Sequence, residues 1–178
     1  MENRGASNKA DIDGAVDLLP AVEPLALRGA MGSFLTGVTI VTTRSETGEP
    51  YGLTVNSFNS VSLDPPLVLW SLDHATDKLD LFRNSAGFVV NVMAAASTDM
   101  IWRFAKTETD RFDNTDWEWG ASNQPVLNDA IVSFECRLWA EYPGGDHAIF
   151  VGEVINIKQS TGAPAAFFKG KLGVYEGE

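Results

Sequence analysis

Residues 38–58 read VTIVTTRSETGEPYGLTVNSF and carry the strongest fold signal in the chain. The first seven of these residues are almost all β-branched, which favours a strand. The stretch SETGEP that follows contains Gly and Pro and predicts a turn. We therefore expect YGLTVNSF, residues 51–58, to return as the antiparallel partner strand of a hairpin.

The second strand of this hairpin has an unusual pattern, because polar and apolar side chains are mixed on both of its faces. Side chains alternate along a strand, so Thr54 and Asn56 would share one face with Phe58, and Ser57 would lie on the other. Asn and Ser inside a strand compete for backbone hydrogen bonds and pack poorly on a pleated surface. These polar groups are expected either to meet a planar ligand with polar edges or to occupy edge positions.

Further strand patterns follow along the chain. They are PLVLWSL (66–72), which is nearly all apolar and is expected to be buried on both faces, GFVVNVM (87–93), VSFECRLWA (132–140), HAIFVGEVINI (147–157) and AAFFKGKLGVY (165–175). Their number, with tight turns and few helices between them, favours a closed antiparallel barrel over a wound parallel sheet.

Three short helices are predicted between these strands. One begins near Leu27 and ends near Gly37, another opens at Thr76 or Asp77, and Ser97 is expected to cap a third. Residues 108–124 are polar, rich in Trp and without periodicity, which indicates a long surface loop. In VSFECRLWA, Cys136 falls on the apolar face, and Ser133, Glu135, Arg137 and Trp139 are expected on the other.

The composition limits the classes of function. The chain has 178 residues, 24 of them acidic and 13 basic, for a formal net charge of -11. Such a surface repels phosphate backbones, so nucleic-acid binding is not expected. The length suits one domain over residues 25–178, and the polar, aperiodic residues 1–24 are predicted to form a flexible tail.

Cysteine and histidine usage narrows the choice further. Cys136 is the single cysteine, so no internal disulfide can form, and a cytoplasmic location is predicted. No apolar stretch is long enough to predict a membrane-spanning helix, so no membrane partner is expected. With two histidines and no HExxH pattern, no metal site is predicted, and GxGxxG, P-loop and GxSxG patterns are also missing from the sequence.

Two short segments could contribute to chemistry. Thr76 and Lys78, at a predicted helix start, could bind a phosphate, although an ordinary N-cap is the commoner role for such a threonine. His147 follows two glycines at the start of a strand and could face a cavity, although a solvated surface histidine is the commoner case. The tryptophans could wall a pocket for a flat ligand, pack together or form a dimer interface; they are Trp102, Trp117, Trp119 and Trp139.

Taken together, the segments resemble one known family. The matching stretches are LRGAMGSFLTGVTIVTT, GLTVNSFNSVSLDPPLVLWSL, FVVNVM, DRF, GGDHAIFVGEV and FFKGKLG, which span roughly residues 27–173. In this order they are similar to the short-chain flavin reductases, the reductase components of two-component flavin-dependent monooxygenases.

The resemblance implies a mainly β chain with short helices folded as a split β-barrel. It also implies a homodimer that binds FMN or FAD, oxidises NADH or NADPH and passes reduced flavin to a partner monooxygenase. The matching positions imply that the flavin is contacted by Thr54, Val55, Asn56, Ser57, Phe58, Ser71, Leu72, Thr76, Lys78, Phe88 and Asn91. They further imply that Phe168 and Gly170 border the nucleotide and that His147 acts on the nicotinamide, orienting it or assisting protonation of the reduced flavin. Phe167 stands next to Phe168 where the family often has an aromatic–His pair.

Two other functions are compatible with the same barrel. One is a flavoprotein that keeps its flavin and reduces another small substrate, such as a nitro compound or a quinone. The other is a non-catalytic flavin-binding electron carrier. The GDH segment disfavours the carrier, because a carrier has no need of a histidine on the nicotinamide side.

Overall fold

The computed structural model describes residues 20–106 and 111–175. Most of the predicted tail, residues 1–19, lies outside the described residues. The chain divides into two compact units, the first ending at Phe34 and the second beginning at Leu35. In the first unit, helix α1 runs over Pro24–Met31, with proline at its first position, where a missing N–H is tolerated. The helix ends at Met31, before the predicted limit near Gly37, and all of its residues are exposed.

The second unit is built mainly from strands. They are β1 (Thr36–Gly37), β2 (Thr39–Arg44), β3 (Pro50–Val55), β4 (Asn59–Leu63), β5 (Pro66–Asp73), β6 (Gly87–Met93), β7 (Trp117–Trp119), β8 (Pro125–Leu127), β9 (Ala130–Gly144), β10 (His147–Gln159), β11 (Ala165–Phe168) and β12 (Lys171–Val174). Two helices lie between them, α2 (Leu79–Asn84) and α3 (Thr98–Ala105), and a 3-10 turn, Ala95–Ser97, precedes α3.

Seven strands form one antiparallel sheet in the order β3-β2-β6-β9-β10-β5-β4. The two edge strands, β3 and β4, are consecutive in the chain and are joined by residues 56–58 alone. Three residues span only about 10–14 Å, so the sheet must curl until its edges come close together. No ladder joins β3 to β4 within the described ranges. The sheet is thus a barrel that is open along one seam, and the predicted split-barrel fold is confirmed.

The interior of the barrel is filled by aromatic side chains. Trp70 is fully buried, stacks on Phe150 with ring centroids 5.0 Å apart, and meets Phe82 edge-on at 4.9 Å. Offset and edge-on pairs of this kind add about 0.5–1.5 kcal/mol each beyond the burial of apolar area. A second cluster, which includes Ile101 and Phe104 of α3, packs beside β2 and β6.

The strand predictions for β2 and β6 are confirmed, and three other expectations are corrected. Strand β3 ends at Val55, so residues 56–58 form the link to β4 and are not part of the strand. Strand β5 is fully buried on one face only, because its other face is partly exposed. Helix α2 begins at Leu79 with no side-chain cap, because the hydroxyl of Thr76 accepts a bond from the Lys78 N–H in the preceding turn.

The predicted surface loop also contains regular structure. Strand β7 lies within it and pairs with β8, which begins directly after the loop, as a small antiparallel hairpin. The two strands, WEW and PVL, have three residues each, which is too few to show an alternating apolar pattern.

Strand β9 departs from the predicted inside–outside alternation. Ser133 and Glu135, expected on the solvated face, are each only 2% exposed. Glu135 is covered by the segment before β8, where the Ser122 N–H donates to its carboxylate at 2.6 Å, and Asn156 donates to the other oxygen at 2.7 Å. Burial by itself would raise the pKa of Glu135, but these hydrogen bonds outweigh it and lower the pKa. Cys136 is buried as expected, and burial raises the pKa of its thiol to about 12.

Across the described residues, the helices are all too short or too polar to cross a bilayer.

Candidate functional site

A polar cavity lies where β3 and β5 end and β10 begins; we name it the strand-end cavity. Its volume is about 340 Å³, at the lower end of the ~300–1,000 Å³ range of small-molecule sites. It is lined by Tyr51, Leu53, Thr54, Val55, Asn56, Ser57, Ser71, Leu72, Asp73, Thr76, Phe104, Ala105, Arg111 and His147. Eight of the fourteen site residues predicted from the sequence therefore meet in one place.

The hydroxyl of Ser57 holds the seam of the barrel together at this cavity. Its oxygen accepts a hydrogen bond from the Ser71 N–H at 3.0 Å, and its hydrogen is donated to the Ser71 carbonyl at 3.2 Å. One side chain thus replaces the backbone pairing that β5 would otherwise make here. Asn56 beside it is exposed, and its amide makes no hydrogen bond to any described residue. Ser57 serves the fold, and Asn56 is left available to a ligand.

Helix α3 forms one wall of the cavity and is fixed to β3 in two ways. The Thr54 hydroxyl donates to the Ile101 carbonyl at 2.7 Å. Gly52 has no side chain to keep the helix away: a Cβ there would lie 2.9 Å from the Phe104 ring. This close approach places Phe104 in the wall of the cavity.

Tyr51 is held between two cations at the edge of the cavity. The Arg111 guanidinium carbon lies 5.3 Å and the Lys78 amine 5.8 Å from the centroid of its ring. Arg111 also donates to the Tyr51 hydroxyl at 3.0 Å, to the Gly52 carbonyl at 2.6 Å and to the Lys106 carbonyl. Burial raises the pKa of Tyr51, and the charge of Arg111 opposes that rise. Arg111 thus brings a positive charge to the edge of the cavity, whereas Lys78 is ion-paired with Asp77 at 2.9 Å and Asp73 adds a carboxylate to the lining.

His147 is the first residue of β10 and lies at the mouth of the cavity. Gly145, with φ +74, makes the tight turn that leads into it. The imidazole Nδ1 is 2.7 Å from the Asp146 carboxylate, and this hydrogen bond lowers the pKa of Asp146. With Nδ1 engaged, Nε2 is the ring nitrogen left for a ligand.

A smaller cavity of about 170 Å³, the apolar cavity, adjoins the first one. The two cavities share Thr54, Val55, Asn56 and Ala105. The rest of its lining is hydrophobic and consists of Val38, Ile101, Trp102, Phe167 and Leu172. A polar cavity beside an apolar one suits a ligand with a hydrophilic chain and a flat apolar ring system.

Aromatic rings continue from the cavity wall towards the surface. Ring centroids are 5.1 Å apart for Phe104 and Phe112, 5.5 Å for Phe112 and Trp117, and 4.9 Å for Trp117 and Trp119. We call these four residues the aromatic row. Of the four tryptophans singled out in the sequence, Trp102 alone lines either of these two cavities, and two others belong to the row.

Six predicted site residues are not in the lining of the strand-end cavity. Phe58 packs on Phe134 at a centroid distance of 5.7 Å, and Lys78 is ion-paired with Asp77 at 2.9 Å while resting on Tyr51.

Phe88 and Asn91 are enclosed in the interior, with 1% and 0% of their surfaces exposed. Asn91 donates to the Ile40 carbonyl at 3.0 Å and accepts from the Ser133 hydroxyl at 2.9 Å. Both residues therefore bind the strands of the barrel to each other, and neither presents a surface to either cavity.

Phe168 and Gly170 lie in the β11–β12 hairpin. Lys169 and Gly170 have φ of 48° and 79°, the left-handed values that a two-residue hairpin turn requires. Phe168 is partly exposed and faces away from Phe167, which lines the apolar cavity. The positive φ of this turn is therefore sufficient reason for a glycine at position 170, whether or not a ligand binds there.

Six residues of the lining are not among those predicted from the sequence, and two of them, Tyr51 and Arg111, make the polar contacts at the cavity edge. Arg111 belongs to the DRF segment, where the sequence suggests only a local ion pair with Asp110, and Asp110 lies outside the described residues. The DRF motif is visible in the sequence, but Arg111 contacts Tyr51, which lies 60 residues earlier, so no local pattern predicts this contact.

The comparisons with known proteins point to the same class of ligand as the cavity lining. The model of the flavin reductase like domain matches residues 31–175. The chain belongs to the flavin reductase-like family. The resemblance found in the sequence is thereby confirmed.

Similar proteins include reductases of both flavins. The FMN reductase (NADH) SmoA of Agrobacterium fabrum is 41% identical over 83% of this chain and 84% of its own length. The NADH:FAD oxidoreductase SgcE6 of Streptomyces globisporus, solved with NAD and FAD fragments, is 35% identical, with a TM-score of 0.81 over 89% of this chain and 98% of that chain.

Some relatives are longer proteins. The reductase component of the flavin-dependent trigonelline monooxygenase of Acinetobacter baylyi is 37% identical over 81% of this chain, which spans 46% of that protein.

Proposed function

We propose that this protein is an NAD(P)H:flavin oxidoreductase that reduces FMN or FAD by hydride transfer and supplies the reduced flavin to a partner monooxygenase. The observation that carries the proposal is the strand-end cavity, where Asn56, Thr76 and His147 converge from separate segments of a flavin reductase-like chain. Family membership indicates the class of reaction, and the lining of the cavity indicates which residues would bind the flavin and the nicotinamide.

The residues present fit a flavin. The Asn56 amide, which has no hydrogen-bond partner among the described residues, can bond a polar ring edge, because amide groups both donate and accept. Arg111 at the cavity edge can attract a phosphate that the global charge of the protein would repel, and Lys78 can add a donor from its ion pair with Asp77. The apolar cavity, with Trp102 in its wall, suits an aromatic ring system.

A bound flavin would supply the hydride-accepting centre, and the protein supplies orientation and exclusion of water. His147, with Nδ1 fixed by Asp146, would orient the nicotinamide carboxamide or give a proton to the reduced flavin through Nε2. Phe104 and the other apolar side chains would keep water from the reacting groups. Hydride transfer itself requires no acid or base from the chain, so positioning is the main task.

A single experiment separates this function from its alternatives. Purified protein is inspected for flavin absorbance and then assayed for anaerobic NADH oxidation with and without added FMN or FAD. Colourless protein that turns over only with added flavin supports the diffusible-flavin reductase. A yellow protein that reduces a quinone or nitro compound faster than free flavin would favour a flavin-retaining reductase, and flavin binding without NADH oxidation would favour a carrier.

The protein is further proposed to act as a homodimer. Trp139 of β9 and Ile155 and Ile157 of β10 are each about half exposed on neighbouring strands, which supports an apolar contact with another chain. Sedimentation at micromolar concentration is expected to give twice the 19.3 kDa monomer mass. Trp139→Glu should shift the equilibrium towards the monomer, and a wild-type protein that sediments only at 19.3 kDa would contradict the proposal.

The assignments of residues 1–24 as a flexible tail and of residues 25–178 as one domain, and the cytoplasmic location, stay predictions. Their support is the aperiodic sequence before Pro24 and the lone, buried Cys136.

A further inference from the structure

A further cavity, which we name the turn cavity, lies beside the β2–β3 turn. Its volume is about 600 Å³, larger than that of the strand-end cavity. It is lined by Arg44, Ser45, Glu46 and Thr47 of the turn, by Asp80, Leu81, Asn84, Ser85 and Ala86 of and after α2, and by Ser122, Asn123 and Gln124. None of these residues lines the strand-end cavity or the apolar cavity, so the turn cavity is a separate site.

The floor of the turn cavity contains a buried amide with unused donors. Gln124 is 5% exposed, and its side-chain oxygen accepts from the Arg44 backbone N–H at 2.8 Å. Since a backbone N–H can only donate, this bond fixes which end of the amide is oxygen. The amide nitrogen must then lie at the other end, where it has no hydrogen-bond acceptor among the described residues. The nitrogen is not among the fully enclosed side-chain atoms, so a ligand in the turn cavity can reach it.

The wall of the turn cavity holds a cation that is also without an acceptor. The Arg44 guanidinium lies over the ring of Trp119, with its carbon 5.5 Å from the centroid. In residues 20–106 and 111–175 its side chain makes no ion pair or hydrogen bond. The contact with Trp119 engages the guanidinium without using its N–H groups, which stay available to a ligand. Arg44 and Gln124 therefore present two sets of donors to the same cavity.

Two carboxylates in the lining restrict the charge of the ligand. Asp80 is 3.4 Å from Arg83, but Arg83 pairs more closely with Glu141 at 2.6 Å, so Asp80 keeps its negative charge, and Glu46 lies in the turn. These groups repel a polyanion, but they can accept hydrogen bonds from hydroxyl or ammonium groups. The charges fit a ligand with one negative group at the Arg44 end and hydrogen-bond donors elsewhere.

We propose that the turn cavity binds a small molecule by a single oxyanion, a carboxylate or a phosphate, held by the Arg44 guanidinium and the Gln124 amide nitrogen. The site would act in addition to flavin reduction, because it shares no residue with the cavities assigned to the flavin.

The proposal is tested by calorimetric titration of the full-length protein with inorganic phosphate and with benzoate. Gln124→Glu keeps the acceptor for the Arg44 N–H but replaces the donor nitrogen with a second oxygen. Arg44→Gln removes the cation, and Arg137→Gln on β9 is a control with the same change of charge. Binding of one probe should weaken at least about tenfold in both test variants and stay within about twofold in the control, since charge-assisted bonds carry the contact.

Tighter binding of phosphate would assign the oxyanion to a phosphoryl group, and tighter binding of benzoate to a carboxylate. Equal affinity in the wild type and Arg44→Gln, or no measurable binding of either probe, would overturn the proposal. Thermal melting checks that each variant is folded; if Gln124→Glu is not, Arg44→Gln alone decides the outcome.

Discussion

Removing the hydroxyl of Ser57 should weaken the barrel at its open seam and the strand-end cavity together. In Ser57→Ala the bonds of 3.0 and 3.2 Å to the Ser71 N–H and carbonyl are lost, and both backbone groups lie half-buried. At a net ~0.5–1.5 kcal/mol for each bond, the free energy of unfolding should fall by about 1–3 kcal/mol. For a chain of this size, that corresponds to a decrease of roughly 2–12 °C in Tm.

The matched control is Ser60→Ala, because Ser60 is exposed and its hydroxyl makes no hydrogen bond to a described residue. Its effect should stay within about 0.5 kcal/mol. Urea unfolding gives the free energies, and equilibrium dialysis gives the flavin dissociation constant. If Ser57→Ala weakens flavin binding by ~1.4 kcal/mol, the dissociation constant should rise roughly tenfold. Equal unfolding free energies for the two variants would refute the role assigned to Ser57.

Three further predictions concern the nicotinamide side, acid stability and strand packing. His147→Ala should slow NADH-dependent flavin reduction about tenfold to a hundredfold (~1–3 kcal/mol) with flavin affinity nearly unchanged, whereas Asn56→Ala should weaken flavin binding first; the reverse pattern in anaerobic assays would contradict the assignment. Because folding lowers the pKa of Glu135, its ionised carboxylate stabilises the folded state fully above the ordinary pKa of 4.5. This stabilisation is lost as the pH falls through the lowered pKa of the folded state. The urea midpoint of Glu135→Gln should therefore depend less on pH in this acid range than that of the wild type. Gly87→Ala would put a Cβ 2.1 Å from a carbonyl oxygen of β9 and should cost at least ~1–3 kcal/mol in urea unfolding, unlike Gly173→Ala, whose Cβ would meet nothing within 4 Å.

The sequence was sufficient for the strands and much less so for their ends. Strands β2 and β6 are runs of apolar and β-branched residues, and their predicted limits agree with the structure within a residue. Alternation could not show that β3 stops at Val55, because Asn56 and Ser57 continue a strand-like pattern past the last paired residue. What ends the ladder is the seam of the barrel, a long-range feature with no local signature.

The sequence motifs predicted several residues of the strand-end cavity, but they did not predict contacts between residues far apart in the chain. Asn56 and His147 stand in recognisable segments, so the family resemblance alone is enough to bring them together. Tyr51 and Arg111 meet where α3 and the chain after it pack against β3 at Gly52, and no periodicity records that contact. Glu135 was expected in solvent for a similar reason, since the segment that covers it lies 13 residues earlier in the chain.

The aromatic row gives the protein an optical property. It begins at Phe104 in the wall of the strand-end cavity and passes through Phe112 to two tryptophans, with no centroid separation above 5.5 Å. Tryptophan emission overlaps the near-ultraviolet absorption of an isoalloxazine, and energy transfer between the two is efficient at such short range. Occupation of the cavity by a flavin should therefore quench the fluorescence of Trp117 and Trp119, so that binding can be followed without a label in the unmodified protein.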